Sequence, residues 1–253
     1  MLQWIDEHTP LPPTYLAMGE GDEAPGLLAA GGRVTTARLE EAYRRGIFPW
    51  FSPGQPPLWW SPDPRMVLPV AEFRIARSLR KTLRHFMRSP GSEVRLDSAC
   101  ERVIHACAGT PRDGQRGTWI LPEMIDAYVQ WHRAGRVHSV ETWVDGELTG
   151  GLYGVAIGRM FFGESMFAQR TDASKVALAA LVAFCRTKGV PLIDCQQNTG
   201  HLASFGAREI TRQAFEAHLA LSLGAGEVDD WTYDSSMWRQ LALHANQPVD
   251  PNA

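Results

Sequence analysis

Three polar side chains stand where apolar ones belong. Glu164 interrupts the run FFGESMF (161–167), and Asp194 and Gln196 interrupt LIDCQ (192–196). Residues i and i+2 of a strand face the same side, so Asp194 and Gln196 should project together. An unpaired carboxylate inside a sheet is costly, so these groups must be paired or face a wet cleft. A lone Asp tied to backbone amides at a strand end would satisfy the same requirement without chemistry. Two carboxylates and an amide on two strands, framed by Phe161, Phe162, Met166 and Phe167, instead favour a site that positions a substrate or guides a proton. No Ser-His-Asp order, nucleotide-binding glycine motif or metal-ligand spacing competes with it. The 8 histidines are scattered along the chain.

The elements that must hold these residues follow from periodicity and punctuation. VHSVETWV (137–144) alternates as a strand and ends at Asp145-Gly146, a two-residue hairpin signal. Its partner runs from Glu147 to Ile157, and Gly158-Arg159 turns the chain into a third strand carrying Glu164. Residues 173–188 read as a helix that is apolar nearly all round, hence buried against a sheet. Gly189 ends it, and PLIDCQ (191–196) follows as a short buried strand. Further helices are expected at 36–45 (with Thr36 as cap and Gly46 as terminator), at 98–108, at 122–134 and from Thr211 to about Leu223. The result is an α+β domain with a mostly antiparallel sheet and one parallel crossover after Phe167. A boundary is expected near Asp63–Met66, giving a small N-terminal domain (1–64), a larger domain (65–240) and a disordered tail (241–253).

Two stretches lie outside that scheme. GIFPWFSPGQPPLWWSPDPR (46–65) holds three of the nine tryptophans and six of the seventeen prolines. So much proline forbids a long helix or a central strand, leaving a stiff ribbon that either packs its aromatics or displays them. FRIARSLRKTLRHFMR (73–88) carries Arg74, Arg77, Arg80, Lys81, Arg84 and Arg88 with no acid among them. As an amphipathic helix it would present a basic face suited to phosphates, bound without regard to sequence.

Composition bounds the rest. A chain of 253 residues, 44% apolar and 21% charged, is long enough to bury a sizeable core. The net charge of -3 means that any attraction to nucleic acid must be local. No signal peptide is evident and no stretch is apolar enough to span a membrane. The four cysteines, Cys100, Cys107, Cys185 and Cys195, show no CxxC pairing, and Cys100 and Cys107, seven apart on an expected helix with no His at ligand spacing, read as buried thiols. A cytoplasmic, reduced and metal-free protein is expected, with nothing demanding a partner subunit.

AYRRGIFPWFSPGQPPLWWSPDPR (42–65), GTWI (117–120), FFGESMF, ASK (173–175), LIDCQ and HLASFGA (201–207) together resemble the leucyl/phenylalanyl-tRNA–protein transferase family, collinearly from about Gly26 to Gly206. The resemblance implies a small N-terminal domain and a larger acetyltransferase-like (GNAT-related) domain. It implies transfer of Leu or Phe, less readily Met, from aminoacyl-tRNA to proteins beginning with Arg or Lys, marking them for degradation, with no cofactor. It places Asp194 and Gln196 at the catalytic centre with Glu164 beside them. Tyr43, Trp50 and Trp119 fall where the family binds the tRNA 3′ end, and Leu152, Phe161, Leu178, Leu181 and Ile193 where it lines an amino-acid pocket. Trp50 is the expected stacking platform, with Trp59 and Trp60 structural. On this reading Asp194 fixes the Gln196 amide, Gln196 receives the attacking amine, and Glu164 orients the acceptor, pairing with its basic side chain. Two rivals are an acetyl-CoA-dependent N-acetyltransferase and a non-catalytic RNA-binding module. The first lacks its phosphate-loop signature, since Asp172 and Ala173 stand in place of glycines; the second has no use for the polar trio.

Overall fold

The computed structural model describes residues 2–110 and 120–243. The chain begins with β1 (Gln3–Ile5), β2 (Leu27–Gly31), α1 (Thr36–Tyr43), β3 (Phe48–Pro49) and β4 (Leu58–Trp60). These strands form a four-stranded sheet in the order β1-β2-β4-β3. The proline-rich ribbon therefore contributes strands after all, and β4 lies inside that sheet rather than at its edge. The reason is local: the prolines bracket Leu58-Trp59-Trp60 instead of interrupting it, leaving its amides free to pair with β2 and β3. Thr35, not Thr36, caps α1, accepting from the Arg38 amide. Gly46 takes the expected left-handed conformation (φ +71°), and a Cβ there would meet the Phe215 ring at 2.8 Å.

A larger sheet begins with β5 (Arg65–Pro69). There follow α2 (Arg77–Arg88), β6 (Ser92–Leu96), α3 (Cys100–Ala108) and α4 (Pro122–Arg133). The hairpins β7 (Val137–Val144), β8 (Glu147–Ile157) and β9 (Met160–Ala168) come next, then α5 (Ala173–Lys188) and β10 (Leu192–Gln196). The chain closes with α6 (Gly200–Ala203), β11 (Arg208–Ile210) and α7 (Arg212–Gly224). The strand order is β11-β5-β10-β9-β8-β7-β6. Every neighbouring pair in it is antiparallel except β9–β10, the pair joined through the buried α5. A chain that leaves one strand and returns alongside it in the same direction needs such a crossover.

Two cores flank this sheet. On one face α1, α3, α4, α7 and the four-stranded sheet share a continuous core containing Leu28, Tyr43, Trp59, Val103, Tyr128, Phe162 and Phe215. On the other, α2, α5 and the C-terminal segment pack around Leu83, Leu178, Leu181, Phe184 and Trp238. Cys100, Cys107 and Cys185 are buried thiols, as their setting in apolar runs suggests. Residues 241–243 are not a free tail. Leu241 and Leu243 are buried, and Arg80 and Arg84 donate to the carbonyls of Ala242 and Leu243. The basic helix is shorter than its charge run, beginning at Arg77, with Arg74 in the extended segment before it. Arg74, Arg77, Lys81 and Arg88 remain exposed.

Candidate active site

The site forms where β9 and β10 part company. They pair only from Leu192 to Asp194 against Met160 to Phe162. Beyond that point each strand is irregular. On β9 the register against β8 slips between Tyr153/Ser165 and Gly154/Gly163, so Glu164 is the extra residue of a bulge. On β10 the register against β5 shifts between Asp194 and Gln196, and Gln196 sits at φ +60°. That left-handed residue ends the simple alternation on which the expectation of a shared face for Asp194 and Gln196 rested.

Asp194 is held by Arg65. The guanidinium donates to both carboxylate oxygens, at 2.8 and 2.6 Å, and to the Gly46 carbonyl at 3.0 Å. It lies between the Phe48 and Phe215 rings, 4.7 and 4.6 Å from their centroids. Both charges are out of water, with side chains 1% and 0% exposed. Asp194 also accepts the Gln196 backbone N–H at 2.9 Å. Its carboxylate thus secures the unusual backbone of Gln196 and not, as expected from sequence, the side-chain amide.

The amide belongs to Glu164. Gln196 Nε2 donates to Glu164 Oε1 at 2.8 Å, Tyr43 donates to the same oxygen at 2.6 Å, and Tyr128 donates to Oε2 at 2.9 Å. The two tyrosine oxygens lie 2.7 Å apart. Two hydroxyl protons must serve three oxygen–oxygen contacts when Glu164 is ionised; a proton on the carboxyl supplies the third. Burial pushes the Glu164 carboxyl up to about 7, against the lowering pull of Tyr43, Tyr128 and Gln196, with the Asp194 charge adding to the rise. With Nε2 committed to Glu164, the Gln196 amide oxygen has no protein partner among the described residues.

Both strand irregularities open into a cavity of about 690 Å³. Its lining combines the apolar Leu152, Met166, Leu178, Leu181 and Ile193 with the polar Glu164, Asp194, Gln196, Gln197, Thr199 and His201, and includes Phe48 and Trp50. Four of the five expected pocket residues line it. Phe161 does not: it is 1% exposed and sits beneath the lining, its ring passing 2.5 Å from where a Cβ on Gly154 would be.

Trp50 is half-buried at the cavity, braced edge-on by Trp60, whose Nε1 donates to the Trp50 carbonyl at 2.6 Å. Trp59 is fully buried, as a packing residue should be. Tyr43 is not available for stacking: its ring is enclosed by Phe162 and Trp131, and only its hydroxyl reaches the site. Trp119 lies outside the described residues. Arg65 and Tyr128 escaped the sequence reading. A buried Asp demands a cation, so Arg65 in SPDPR was discoverable in principle; Tyr128 sits among ordinary apolar positions of α4 and announces nothing.

Comparison with known proteins settles the family. Residues 67–220 match the model described as leucyl/phenylalanyl-tRNA protein transferase, and residues 32–63 match the N-terminal domain of the same family. The chain belongs to the leucyl/phenylalanyl-tRNA–protein transferase family. A relative so named from Methylibium petroleiphilum is 65% identical over 234 residues, covering 92% of this chain and 88% of its own. Another from Leptothrix cholodnii is 59% identical across the whole of both chains. Among solved structures, a GCN5-related N-acetyltransferase from Kribbella flavida aligns with TM-score 0.32 at 12% identity, covering 67% of this chain and 58% of that one, too distant to assign a fold. No described helix is long and apolar enough to cross a membrane.

Proposed function

We propose that the cleft transfers Leu or Phe, and less readily Met, from aminoacyl-tRNA to the α-amine of proteins beginning with Arg or Lys. The observation that carries this reading is the joining, in one cavity, of an apolar pocket to an immobilised amide whose oxygen is unoccupied. Leu152, Leu178, Leu181 and Ile193 suit an apolar side chain not branched at Cβ, aliphatic or aromatic, and a methylene there is worth only about 1–3 kcal/mol, so several such residues are accepted. Aminoacyl-tRNA is already an activated ester. The acceptor nitrogen attacks the ester carbonyl, the C–N bond forms, the C–O bond to the terminal ribose breaks, and the nitrogen's proton ends on the departing ribose oxygen.

Gln196 Oε1 accepts a hydrogen bond from the attacking amine and aims it. Glu164 holds the amide so that its oxygen faces the substrate, and Asp194 holds the backbone beneath it. A Gln is not a strong base, so orientation supplies most of the rate. Trp50 offers a ring for the terminal adenosine, with base stacking worth about 1–3 kcal/mol. The exposed Arg74, Arg77, Lys81 and Arg88 are placed to meet tRNA backbone on the α5 side of the sheet. Domains spanning about 1–64 and 65–240, an acetyltransferase-like architecture for the larger, a monomeric state, cytoplasmic location and a role in N-terminal degradation signals complete the reading.

The test offers Phe-tRNA or acetyl-CoA with an Arg-starting peptide and weighs the product. A phenylalanyl adduct is expected, reduced at least about 100-fold in rate by Gln196→Ala. An acetyl adduct, or unchanged transfer by folded Gln196→Ala, would overturn the assignment.

A further inference from the structure

The acceptor's basic side chain needs a carboxylate, and the cavity does not have one to spare. Glu164 was expected to take this part, but both of its oxygens are occupied by Tyr43, Tyr128 and Gln196, and it is 9% exposed. Asp194 is neutralised by Arg65. Around this end of the fold, Asp63, Glu72 and Asp172 are paired with Arg212, Arg208 and Lys175.

Glu209 is different. It is exposed on β11, and among the described residues no cation lies within ion-pair distance of it. Its Oε1 accepts Asn198 Nδ2 at 3.0 Å. Asn198 belongs to the loop that leaves Gln196 and supplies Gln197 and Thr199 to the cavity wall. The sheet register ties the two positions together: Glu209 and Gln196 are both the partners of Met66, one from each side of β5. Two strand spacings, about 10 Å, separate them. Glu209 pairs regularly with Met66 and so shares its face, the α5 side, to which the cavity residues Leu152, Leu178, Leu181 and Ile193 also belong.

We propose that Glu209, positioned by Asn198, is the specificity determinant for the cationic side chain of the acceptor's first residue. This rests on the aminoacyl-transfer reading above. With the α-amine on the Gln196 amide oxygen, an extended Lys or Arg side chain directed along the exposed 197–199 loop brings its charge to the Glu209 carboxylate beside Asn198. The separation favours long cationic side chains over short ones. Because the carboxylate is exposed, it discriminates by charge and reach and not by enclosure.

The experiment measures transfer of labelled Phe from Phe-tRNA to three peptides differing only at the first residue: Arg, Lys, or citrulline, the neutral counterpart of Arg. In Glu209→Gln, KM for the Arg and Lys peptides should rise about tenfold, equivalent to about 1.4 kcal/mol. KM for Phe-tRNA and for the citrulline peptide should not change. Glu209→Asp should recover part of the loss, and Glu209→Lys should deepen it, with circular dichroism confirming the fold of each. An unchanged KM for the Arg peptide in folded Glu209→Gln and Glu209→Lys, or equal losses on Arg and citrulline peptides, would overturn the assignment while leaving aminoacyl transfer standing. A wild-type protein that transfers nothing to any of the three overturns both.

Discussion

The two buried carboxylates of the cleft lie on neighbouring parallel strands and are handled in opposite ways. Asp194 meets a full charge: Arg65 grips both of its oxygens between two phenyl rings. Glu164 meets only neutral donors, two tyrosines and an amide. A charge paired with a charge can remain ionised out of water, whereas one surrounded by hydroxyls retains much of its desolvation cost and gains from holding a proton. One carboxylate is therefore a fixed anchor for backbone, and the other is a group whose protonation changes near neutrality. They meet at Gln196, whose backbone belongs to the first and whose side chain belongs to the second.

The sharpest way to break this contrast is to remove Arg65. Arg65→Ala leaves Asp194 buried without a cation and should destabilise the protein by roughly 3–5 kcal/mol in urea unfolding. Replacing both partners, Arg65→Met with Asp194→Leu, should cost less than either single change, because no charge is then stranded. A larger loss in the double variant would show that the pair does more than cancel its own burial.

Glu164 predicts a pH effect of opposite character. Its carboxyl lies at about 7 in the fold against 4.5 when free, so the folded state holds the proton more tightly. The stability from this group is full below about 4.5 and is lost as pH rises through 7, a displacement worth about 3 kcal/mol. Glu164→Gln, neutral throughout, should flatten that slope, gaining on wild type between pH 5 and pH 8 in urea titrations. Parallel stability curves would show that Glu164 does not titrate in this range.

The smallest change sharpens the same point. Tyr128→Phe deletes one donor to the ionised form and should cost about 1–2 kcal/mol. Because that hydrogen bond lowers the Glu164 pKa, its loss should move the titration further up, seen as an alkaline displacement of the pH–stability midpoint. Tyr43→Phe should act in the same direction.

Much of this was legible in the chain. The strand run from Val137 to Val144, the Asp145-Gly146 turn and the all-round apolar helix ending at Gly189 define hairpins and a crossover through local physics alone, and they reappear almost residue for residue, although β7 is buried on both faces instead of alternating. Glu164, Asp194 and Gln196 could be picked out because polar groups inside buried runs must have partners. Pocket residues such as Leu178 and Leu181 came only through resemblance, since an apolar helix facing a cavity reads like one facing a core.

What the sequence could not decide was which partner each polar group would take. Arg65 reaches Asp194 across 129 positions and Tyr43 reaches Glu164 across 121. No periodicity encodes contacts at that range. A bulge at Glu164 and a left-handed Gln196 each undo the alternation from which side-chain direction is inferred, so Asp194 and Gln196 line one cavity but take different partners, Arg65 and Glu164. The composition and order of residues settled the β7–β9 hairpins, the buried α5 with the strand that follows it, and the unusual polar trio, because those follow from neighbours a few positions apart; the four-stranded sheet, β5, β6 and β11 were not legible. Only the folded chain decided that Asp194 would be an anchor and Glu164 a proton-sharing group, because burial and charge pairing depend on what distant segments bring to the same point.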